Sequence, residues 1–473
     1  MYFPARIATP LLAATLAGCA TLAPPAPPVL SAYIVVGEGG AATVRVLSDA
    51  ATCPPIDIDG RAQPMQLRAP ASTVAQRPTA SSPADSKPSA FPLLTCELPL
   101  PPGTRTATVQ GQALPVPQGE PRRIVVIGDT GCRMKKADNA FQACNDADAA
   151  PFATVAASAA AWRPDLVVHV GDYHYRENPC PAGNAGCAGS PWGYGWDTWR
   201  EDLFRPAAPL LRAAPWVVVR GNHESCARGG QGWWRFLDPR PLQPGRDCNR
   251  AADDDTGNYS DPYAVPLGPE TQLLVVDTAA TTWKGLAPGS TGFERYRDAY
   301  TRAAALAARV PYNLWANHHP ILGFGADLDK NGQRYLQLGD KGLQDSFGSV
   351  DPLLLPRNVQ AVLSGHAHLW EQVSFSSPHP SQFITGFSGT AEDTVPLPEA
   401  PMDVQPAPGA IIDSFSSWVG GFGFMTMERT GPGAWHVEVH DRNGVVQNRC
   451  ELTGRRSRCD LTQVRTQVRP RAH

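Results

Sequence analysis

The stretch LVVHVGDYHY, residues 166–175, shows the pattern on which the fold depends. Its first five residues are apolar or β-branched apart from His169, and such a short run is typical of a buried strand. The run ends at Gly171, and Asp172 and Tyr175 follow closely. Polar side chains that come directly after a buried strand predict a functional site in the loop beyond it.

The same pattern recurs along the last two thirds of the chain. Helix-like stretches at residues 197–211 and 295–309 separate some of the apolar runs. This alternation predicts a layered α/β domain, in which sites form where loops leave the carboxyl ends of strands. We expect Asp277, in the fourth run, to be structural. The runs with their loops are RIVVIGDTG (123–131), LVVHVGDYHY (166–175), WVVVRGNHE (216–224), QLLVVDT (272–278), NLWANHHP (313–320) and VQAVLSGHAH (359–368).

The composition excludes one class of partner. The chain has 473 residues and a net charge of −3, so it lacks the strong positive charge of a nucleic-acid-binding protein. Its 48 prolines and 43 glycines favour loops, turns and strands over long helices. The length suits one large domain and a small one.

The N-terminus carries features of an export signal. Arg6 precedes a short apolar segment, and LAGC at residues 16–19 resembles the cleavage box of a bacterial lipoprotein. The resemblance implies a signal peptide at 1–18, a lipid on Cys19 that anchors the protein in a membrane, and a Pro-rich tether up to residue 31. Ala20 stands where an aspartate marks inner-membrane retention, which favours the outer membrane, at its periplasmic or surface face. The alternative is an ordinary secretory signal with a chance cysteine.

The other cysteines support export to an oxidising compartment. Setting Cys19 aside leaves ten of the 11 cysteines, an even number, and no CxxC spacing indicates a zinc site. Neighbouring cysteines along the chain suggest five local disulfides, although other connectivities are possible. The expected pairs are Cys53–Cys96, Cys132–Cys144, Cys180–Cys187, Cys226–Cys248 and Cys450–Cys459.

Two domains are expected after the tether. Residues 32–118 contain short strand-like pieces separated by turn residues, which predict a small β-sandwich. Residues 72–90, rich in Ser, Pro and Ala, are expected to form a mobile loop. Residues 119–473 form the expected catalytic domain, with a Pro-rich insertion at 395–410.

The loops after the apolar runs supply a mixed set of metal-binding side chains. Carboxylate and amide oxygens together with imidazoles suit first-row divalent or trivalent ions. Seven or more ligands are too many for one ion, so the set predicts two ions that share a bridging carboxylate. The candidates are Asp129, Asp172, Tyr175, Asn222, His223, His318, His319, His366 and His368.

Taken in order, these motifs resemble the calcineurin-like metallophosphoesterases, which read GD, GD, GNH[DE], His and GHxH. The match is closer to the purple acid phosphatases, with GDxG, GDxxY, GNHE, a single His and GHxH. Here the motifs are residues 128–131, 171–175, 221–224, His318 and 365–368, and WDTW at 196–199 is also similar. The likeness spans about residues 120–440. It implies an α/β fold of four layers, in which a β-sandwich is flanked by helices. The small N-terminal β-sandwich domain precedes this fold in the chain.

The resemblance also explains why a tyrosine lies so close to Asp172. Most of the superfamily has a metal-binding histidine where this chain has Gly131. Tyr175 is expected to take its place, because a phenolate is a hard, strongly donating ligand that selects ferric iron, and a bound cation favours ionisation of the phenol.

By resemblance, each candidate has a role. The ferric ion would be held by Asp129, Tyr175 and His368. Asp172 would bridge to a divalent ion (iron, zinc or manganese), held by Asn222, His318 and His366. His223 would contact the phosphate and protonate the leaving oxygen, acting at mildly acidic pH where the imidazole is charged. His319 is at most a substrate contact.

The sequence therefore predicts a phosphomonoesterase that attacks a small phosphate ester with a metal-bound hydroxide, outside the cytoplasm. Two alternatives stay open at this point. One is a phosphodiesterase acting on nucleotides or phospholipid head groups. The other is a surface lipoprotein that uses the fold for binding without catalysis. The sequence does not specify the oligomeric state, and we expect the substrate pocket to be shaped by residues 179–199, 228–258 and 395–410.

Overall fold

The computed structural model describes residue 1 and residues 29–464. The predicted signal peptide, Cys19 and most of the predicted tether lie outside the described residues. Within the described part, no helix is long and apolar enough to cross a membrane.

The N-terminal strands form two facing sheets. One contains β1, β2, β8 and β5, and the other contains β10, β9, β3 and β4. Apolar side chains such as Ile34, Val46 and Ile56 pack between them, as expected for a β-sandwich. The strands are β1 (Val29–Val36), β2 (Ala42–Ser48), β3 (Ile56–Ile58), β4 (Arg61–Gln63), β5 (Gln66–Ala69), β6 (Ser72–Val74), β7 (Ser89–Phe91), β8 (Leu94–Pro99), β9 (Ala107–Val109) and β10 (Gln112–Ala113).

The segment expected to be a mobile loop is instead docked on the rest of the protein. Its ends pair as the hairpin β6–β7. Arg77 forms an ion pair with Asp254 and donates a hydrogen bond to the Cys248 carbonyl at 2.6 Å. Ser81 accepts a hydrogen bond from Asn178 at 2.9 Å. The expectation was wrong because these polar side chains find partners far away in the sequence, which composition does not show.

The next part of the chain builds the centre of the largest sheet. Strands β11, β14 and β15 lie side by side in parallel, with Ile124 opposite Leu166 and Val167 opposite Trp216. The elements are β11 (Arg123–Ile127), β12 (Met134–Lys135), β13 (Ala140–Phe141), β14 (Leu166–His169), β15 (Trp216–Val218), α1 (Phe152–Ala161), α2 (Trp196–Trp199), α3 (Ala208–Ala213), α4 (Gly230–Gly232) and α5 (Asp254–Gly257).

The last part of the chain builds a second large sheet and returns to the first. Its elements are β16 (Tyr263–Pro266), β17 (Thr271–Val275), β18 (Tyr312–Ala316), β19 (Gly325–Leu328), β20 (Arg334–Gln337), β21 (Val359–Ser364), β22 (Trp370–Phe375), β23 (Ser381–Thr385), β24 (Ile412–Trp418), β25 (Gly423–Gly431), β26 (Ala434–Asp441), β27 (Val446–Thr453), β28 (Arg456–Cys459), α6 (Thr291–Ala307) and α7 (Lys341–Gly348).

Among the described residues, the first sheet has eleven strands and the second has seven. Their orders are β28-β27-β26-β25-β11-β14-β15-β1-β2-β8-β5 and β16-β17-β18-β21-β23-β22-β24. The first sheet joins the N-terminal strands to the predicted catalytic domain, because β1 pairs in parallel with β15 at Val35 and Trp216. The residue boundaries of the two domains stay a prediction, but the sheet runs across the expected division.

The four predicted layers are present. Ile124 and Val126 of β11 pack between the two large sheets with Leu314 of β18. Val125 and Ile127, which point the other way, pack with the first helix layer, formed by α1 and α3. Helices α6 and α7 cover the outer face of the second sheet. The central strands β11, β14 and β15 are apolar except at Arg123 and His169, because both of their faces are buried.

All five expected disulfides are confirmed. They join Cys53 to Cys96, Cys132 to Cys144, Cys180 to Cys187, Cys226 to Cys248 and Cys450 to Cys459. Each closes a local loop of the chain and so restricts the unfolded state.

Candidate metal centre

Five loops meet at one edge of the two facing sheets. Because β11, β14 and β15 are parallel to one another, and β18 is parallel to β21, their carboxyl ends carry the loops to the same place. The structure brings together all eight residues of the predicted centre: Asp129, Asp172, Tyr175, Asn222, His223, His318, His366 and His368.

The phenol of Tyr175 lies in the middle of the first group of side chains. Its hydroxyl oxygen is 2.8 Å from Asp129 Oδ1, 2.9 Å from Asp172 Oδ2 and 3.1 Å from His368 Nε2. The His368 Nδ1 atom is 2.8 Å from the Ala391 carbonyl, to which it donates, so Nε2 presents a lone pair to the group. Three acceptors thus converge on one hydroxyl, which has a single proton to donate.

A second group of side chains lies on the other side of Asp172. His318 Nε2 is 3.2 Å from Asp172 Oδ2 and 3.0 Å from Asn222 Oδ1, and His366 Nδ1 is also 3.0 Å from Asn222 Oδ1. His318 donates from Nδ1 to the Val170 carbonyl at 2.9 Å, so its Nε2 atom, which has a lone pair when the ring is neutral, faces two oxygen acceptors. Acceptors that face one another in this way are the arrangement that a cation stabilises.

The backbone is strained where it presents these ligands. Asp129, Asp172 and His366 have φ values of 55°, 58° and 72°, in the left-handed region that residues other than glycine seldom adopt. Such strain costs on the order of 1–3 kcal/mol per residue and is concentrated at functional sites. The loops also approach each other closely, since a Cβ atom on Gly221 would lie 2.1 Å from Asp172 Oδ1.

The surroundings of Gly131 explain why the histidine of the wider superfamily does not fit at this position. A Cβ atom there would lie 2.8 Å from both Asp202 Oδ2 and the Tyr173 carbonyl. A histidine at this position would therefore collide with the loop that carries Tyr175.

Glu224 holds two of the loops together. Its carboxylate accepts hydrogen bonds from the backbone N–H groups of Asp172, Tyr173, His174 and Gly221, at 3.1, 2.8, 3.1 and 3.1 Å. The side chain is fully buried. The last letter of the GNHE motif is therefore a scaffold for Asp172 and Tyr175, a role that the sequence analysis did not assign.

The pKa values of the side chains in the centre also fit a site for bound cations. Burial raises the pKa of Asp129 to about 8 and that of Tyr175 well above 10, and both groups are next to the Asp172 carboxylate. Burial opposes a charge on His318, but the Asp172 and Asp129 carboxylates and the hydrogen bond to Val170 together outweigh it and raise the His318 pKa to about 9. Without metal ions, Asp129, Tyr175 and His318 thus tend to hold protons, which balance the negative charge that bound cations would otherwise balance. Asp129, Asp172 and His318 also present ligand atoms within 4.8 Å of one another.

His223 lies against Tyr175, with ring centroids 3.9 Å apart. Its Nδ1 atom is 2.9 Å from Glu177 Oε1, and its Nε2 atom accepts a hydrogen bond from Arg228 at 2.8 Å. Burial lowers the pKa of His223 to about 4, and the Arg228 charge adds to the effect. The imidazole is therefore neutral at mildly acidic pH in the metal-free protein, and its role beside a bound phosphate stays a prediction.

Glu177 and Arg228 form a buried ion pair beside His223 that the sequence analysis missed. Glu177 follows the motif at 171–175, and Arg228 follows the motif at 221–224, in each case by only a few positions. That short spacing was the available signal, but it did not distinguish them from other charged loop residues.

His319 and Asp277 are the two remaining residues for which the sequence suggested a role. His319 packs against His366 with ring centroids 4.3 Å apart, and these two histidines and His318 can also present ligand atoms to one ion. Asp277 accepts hydrogen bonds from Arg220 at 2.6 Å and from Ser260 at 2.5 Å, which is the structural role expected of it.

Residues 122–369 match the family model of the calcineurin-like phosphoesterases. The chain belongs to this family. A purple acid phosphatase, PPD1, from yellow lupin (Lupinus luteus) seeds has a similar structure, with a TM-score of 0.50 and 16% identity over 88% of this chain and 72% of that one. PhoD is also similar, with a TM-score of 0.51 and 13% identity over 93% of each chain. At these identities the likeness is one of fold. No curated protein matches the chain.

Proposed function

We propose that the protein is a dinuclear-metal phosphomonoesterase of the purple acid phosphatase type. The observation that carries this proposal is the placement of Asp172 between two sets of ligands. Its Oδ2 atom is 2.9 Å from the Tyr175 hydroxyl and 3.2 Å from His318 Nε2. A carboxylate in this position can bridge two ions, and two ions about 3.5–4 Å apart form a clamp for phosphoryl transfer.

The two sets differ in the ion that they suit. The first set, Asp129, Tyr175 and His368 with Asp172, includes a phenol and two carboxylates and would hold ferric iron. The second set, Asn222, His318 and His366 with Asp172, would hold a divalent ion such as iron, zinc or manganese. When bound, the pair of ions would activate water and neutralise the charge of the phosphate.

The chain itself positions the group that handles the leaving oxygen. Glu177 and the His174 carbonyl, 2.9 and 3.0 Å from Nδ1 of His223, fix the ring so that Nε2 faces the centre. Although His223 is neutral in the free protein, a phosphate dianion beside it would raise its pKa. His223 can then carry a proton to the leaving oxygen.

Positive charge at the centre favours monoesters over diesters. A phosphate monoester carries up to two negative charges and a diester carries one. The two expected ions would therefore bind the monoester more strongly.

The test is phosphate release by the purified protein, measured beside its metal content. Turnover of an aryl phosphate monoester should exceed that of the matched diester. Asp172→Ala should abolish turnover and lower the content of both metals, whereas Asp277→Asn, which changes a carboxylate outside the centre, should lower the content of neither. An Asp172→Ala variant that keeps both metals and its activity would refute the bridging role, and faster turnover of the diester would refute the substrate class.

We also propose that the protein works outside the cytoplasm, anchored to a bacterial membrane by a lipid on Cys19. The five disulfides support an oxidising compartment. Cys19→Ser should move the protein from the membrane fraction to the soluble fraction of the producing cells. If the variant stayed with the membrane, the lipid anchor would be wrong.

A further inference from the structure

A cavity of about 510 Å³ opens directly beside the metal centre. His366 and Ala367 form part of its wall. Of the seven proposed ligands, Asn222 is half-buried, His366 is exposed and the others are buried. Solvent, and hence a substrate, reaches the centre from the side of His366, which is the side on which the cavity lies.

The walls of the cavity are largely apolar and aromatic. Phe324 and Tyr335 come from the segment that contains the hairpin β19–β20, and Trp283 lies opposite on the loop before α6. Trp283, Tyr335 and Leu338 keep 73%, 46% and 50% of their surface exposed. Large apolar side chains that are exposed together at the mouth of a cavity indicate a binding site.

The polar groups in the wall are already paired. Lys341 Nζ is 2.5 Å from Asp345 Oδ1. Asp340 accepts hydrogen bonds from the Thr281 hydroxyl at 2.7 Å and from the Leu343 N–H at 2.8 Å. The cavity therefore offers apolar surface and aromatic faces rather than an unpaired charge.

Hydrogen bonds connect two parts of the wall to helix α7. The Thr282 carbonyl, next to Trp283, accepts a hydrogen bond from Gly342 at 3.2 Å, which ties that loop to the start of α7. On the other side, Gln344 donates to the carbonyls of Ile321 at 2.9 Å and Pro406 at 2.8 Å. A site that is fixed before binding loses less entropy when the ligand enters.

We propose that this cavity, the leaving-group pocket, binds the organic part of a phosphate ester and selects esters of alcohols that carry an aromatic ring. Trp283 and Tyr335 provide faces on which such a ring can stack. The volume suits a one- or two-ring group. This proposal rests on the proposed phosphoesterase function, since it places the phosphate at the metal ions and the alcohol in the pocket.

The first experiment compares kcat/KM for naphthylmethyl, n-octyl and ethyl phosphate in the holoenzyme. These alcohols are similar as leaving groups, so their rates report binding of the organic part. The wild type should prefer the naphthylmethyl ester to both others. Trp283→Ala and Tyr335→Ala should each reduce that preference about tenfold or more, because the loss of kcat/KM with the naphthylmethyl ester should exceed the loss with ethyl phosphate. Leu67→Ala, which truncates an exposed apolar residue on β5, is the matched control.

The second experiment separates failure of this proposal from failure of the proposed function. Equilibrium dialysis of the holoenzyme measures binding of naphthylmethylphosphonate and ethylphosphonate, which cannot be hydrolysed. Loss of the naphthylmethyl preference in Trp283→Ala supports the pocket even if no ester is turned over, a result that would refute the phosphoesterase activity alone. An unchanged preference in Trp283→Ala and Tyr335→Ala, or a stronger preference for the octyl ester, would overturn the proposal.

Discussion

Replacing Glu224 by glutamine tests whether this buried carboxylate holds the metal-binding loops. Glu224 Oε1 accepts from Tyr173 and His174 at 2.8 and 3.1 Å, and Oε2 accepts from Asp172 and Gly221 at 3.1 Å each. Glutamine keeps one acceptor oxygen but turns an NH₂ group towards the other pair of N–H donors. Two of the four hydrogen bonds are then lost, and two buried N–H donors are left without an acceptor.

The magnitude follows from those two bonds. At about 1–3 kcal/mol for each buried donor left unpaired, the variant loses roughly 2–6 kcal/mol unless the loops move apart. Because Asp172 lies in one of these loops, movement would displace the proposed bridging ligand. We therefore expect Glu224→Gln to lose most of its metal. It should unfold roughly 2–6 °C below the wild type, because an unfolding entropy of about 2.1 cal/mol/K per residue makes 1 kcal/mol equal to about 1 °C in a chain of 473 residues.

The assay is elemental analysis of the purified variant together with its thermal unfolding. Glu201→Gln is the matched control, because Glu201 forms ion pairs with the exposed side chains of Arg200 and Arg205 away from the centre. That variant should keep its metal and its melting temperature. Full metal content in Glu224→Gln, with a melting temperature equal to that of the control, would refute the role assigned to Glu224.

Two further predictions concern His223. His223→Ala should keep both metals but slow turnover by about two to four orders of magnitude, as measured by phosphate release and elemental analysis; loss of metal would instead make His223 a ligand. In the metal-free protein, the folded pKa of about 4 lies below the unfolded value of about 6.5, so the unfolded chain binds the proton first. Stability from this group is therefore complete above pH 6.5 and declines as the pH falls towards 4, by at most about 3 kcal/mol. Urea unfolding at pH 7 and pH 4 should show a smaller difference in His223→Gln than in the wild type, and equal differences would contradict the lowered pKa.

Much of the centre could be predicted because its residues follow buried strands, which are recognisable in the sequence as short apolar runs. Runs such as 124–127 are apolar throughout, since both faces of β11 are buried there. Parallel strands then bring Asp129 and Asp172 to one edge of the sheet. The grouping of these side chains was therefore predictable from local pattern and order along the chain.

The surroundings of the centre could not be predicted in the same way. The pairing of Glu177 with Arg228 and the docking of Arg77 on Asp254 join residues 51 and 177 positions apart. No local periodicity reports such contacts. The same holds for the join between β1 and β15, which carries the first sheet across the expected division between the domains.

The residues that line the cavity beside the metal centre could not be predicted from the sequence either. Three segments were expected to shape the substrate pocket, but the hairpin β19–β20 and Trp283 line the cavity at His366. The insertion at 395–410 supports that wall from behind, through the Pro396 carbonyl to Arg334 at 3.1 Å and the Pro406 carbonyl to Gln344 at 2.8 Å. Which loop reaches the site depends on packing between layers, and the sequence does not display that packing.

The central claim is that Tyr175 binds ferric iron as a phenolate in a two-metal centre. The most direct test is the visible absorption spectrum of the purified holoenzyme beside that of Tyr175→Phe. We predict a charge-transfer band that gives the wild type a pink or purple colour and that disappears in Tyr175→Phe. A colourless wild type that contains other metals, or a band that survives in Tyr175→Phe, would contradict the claim.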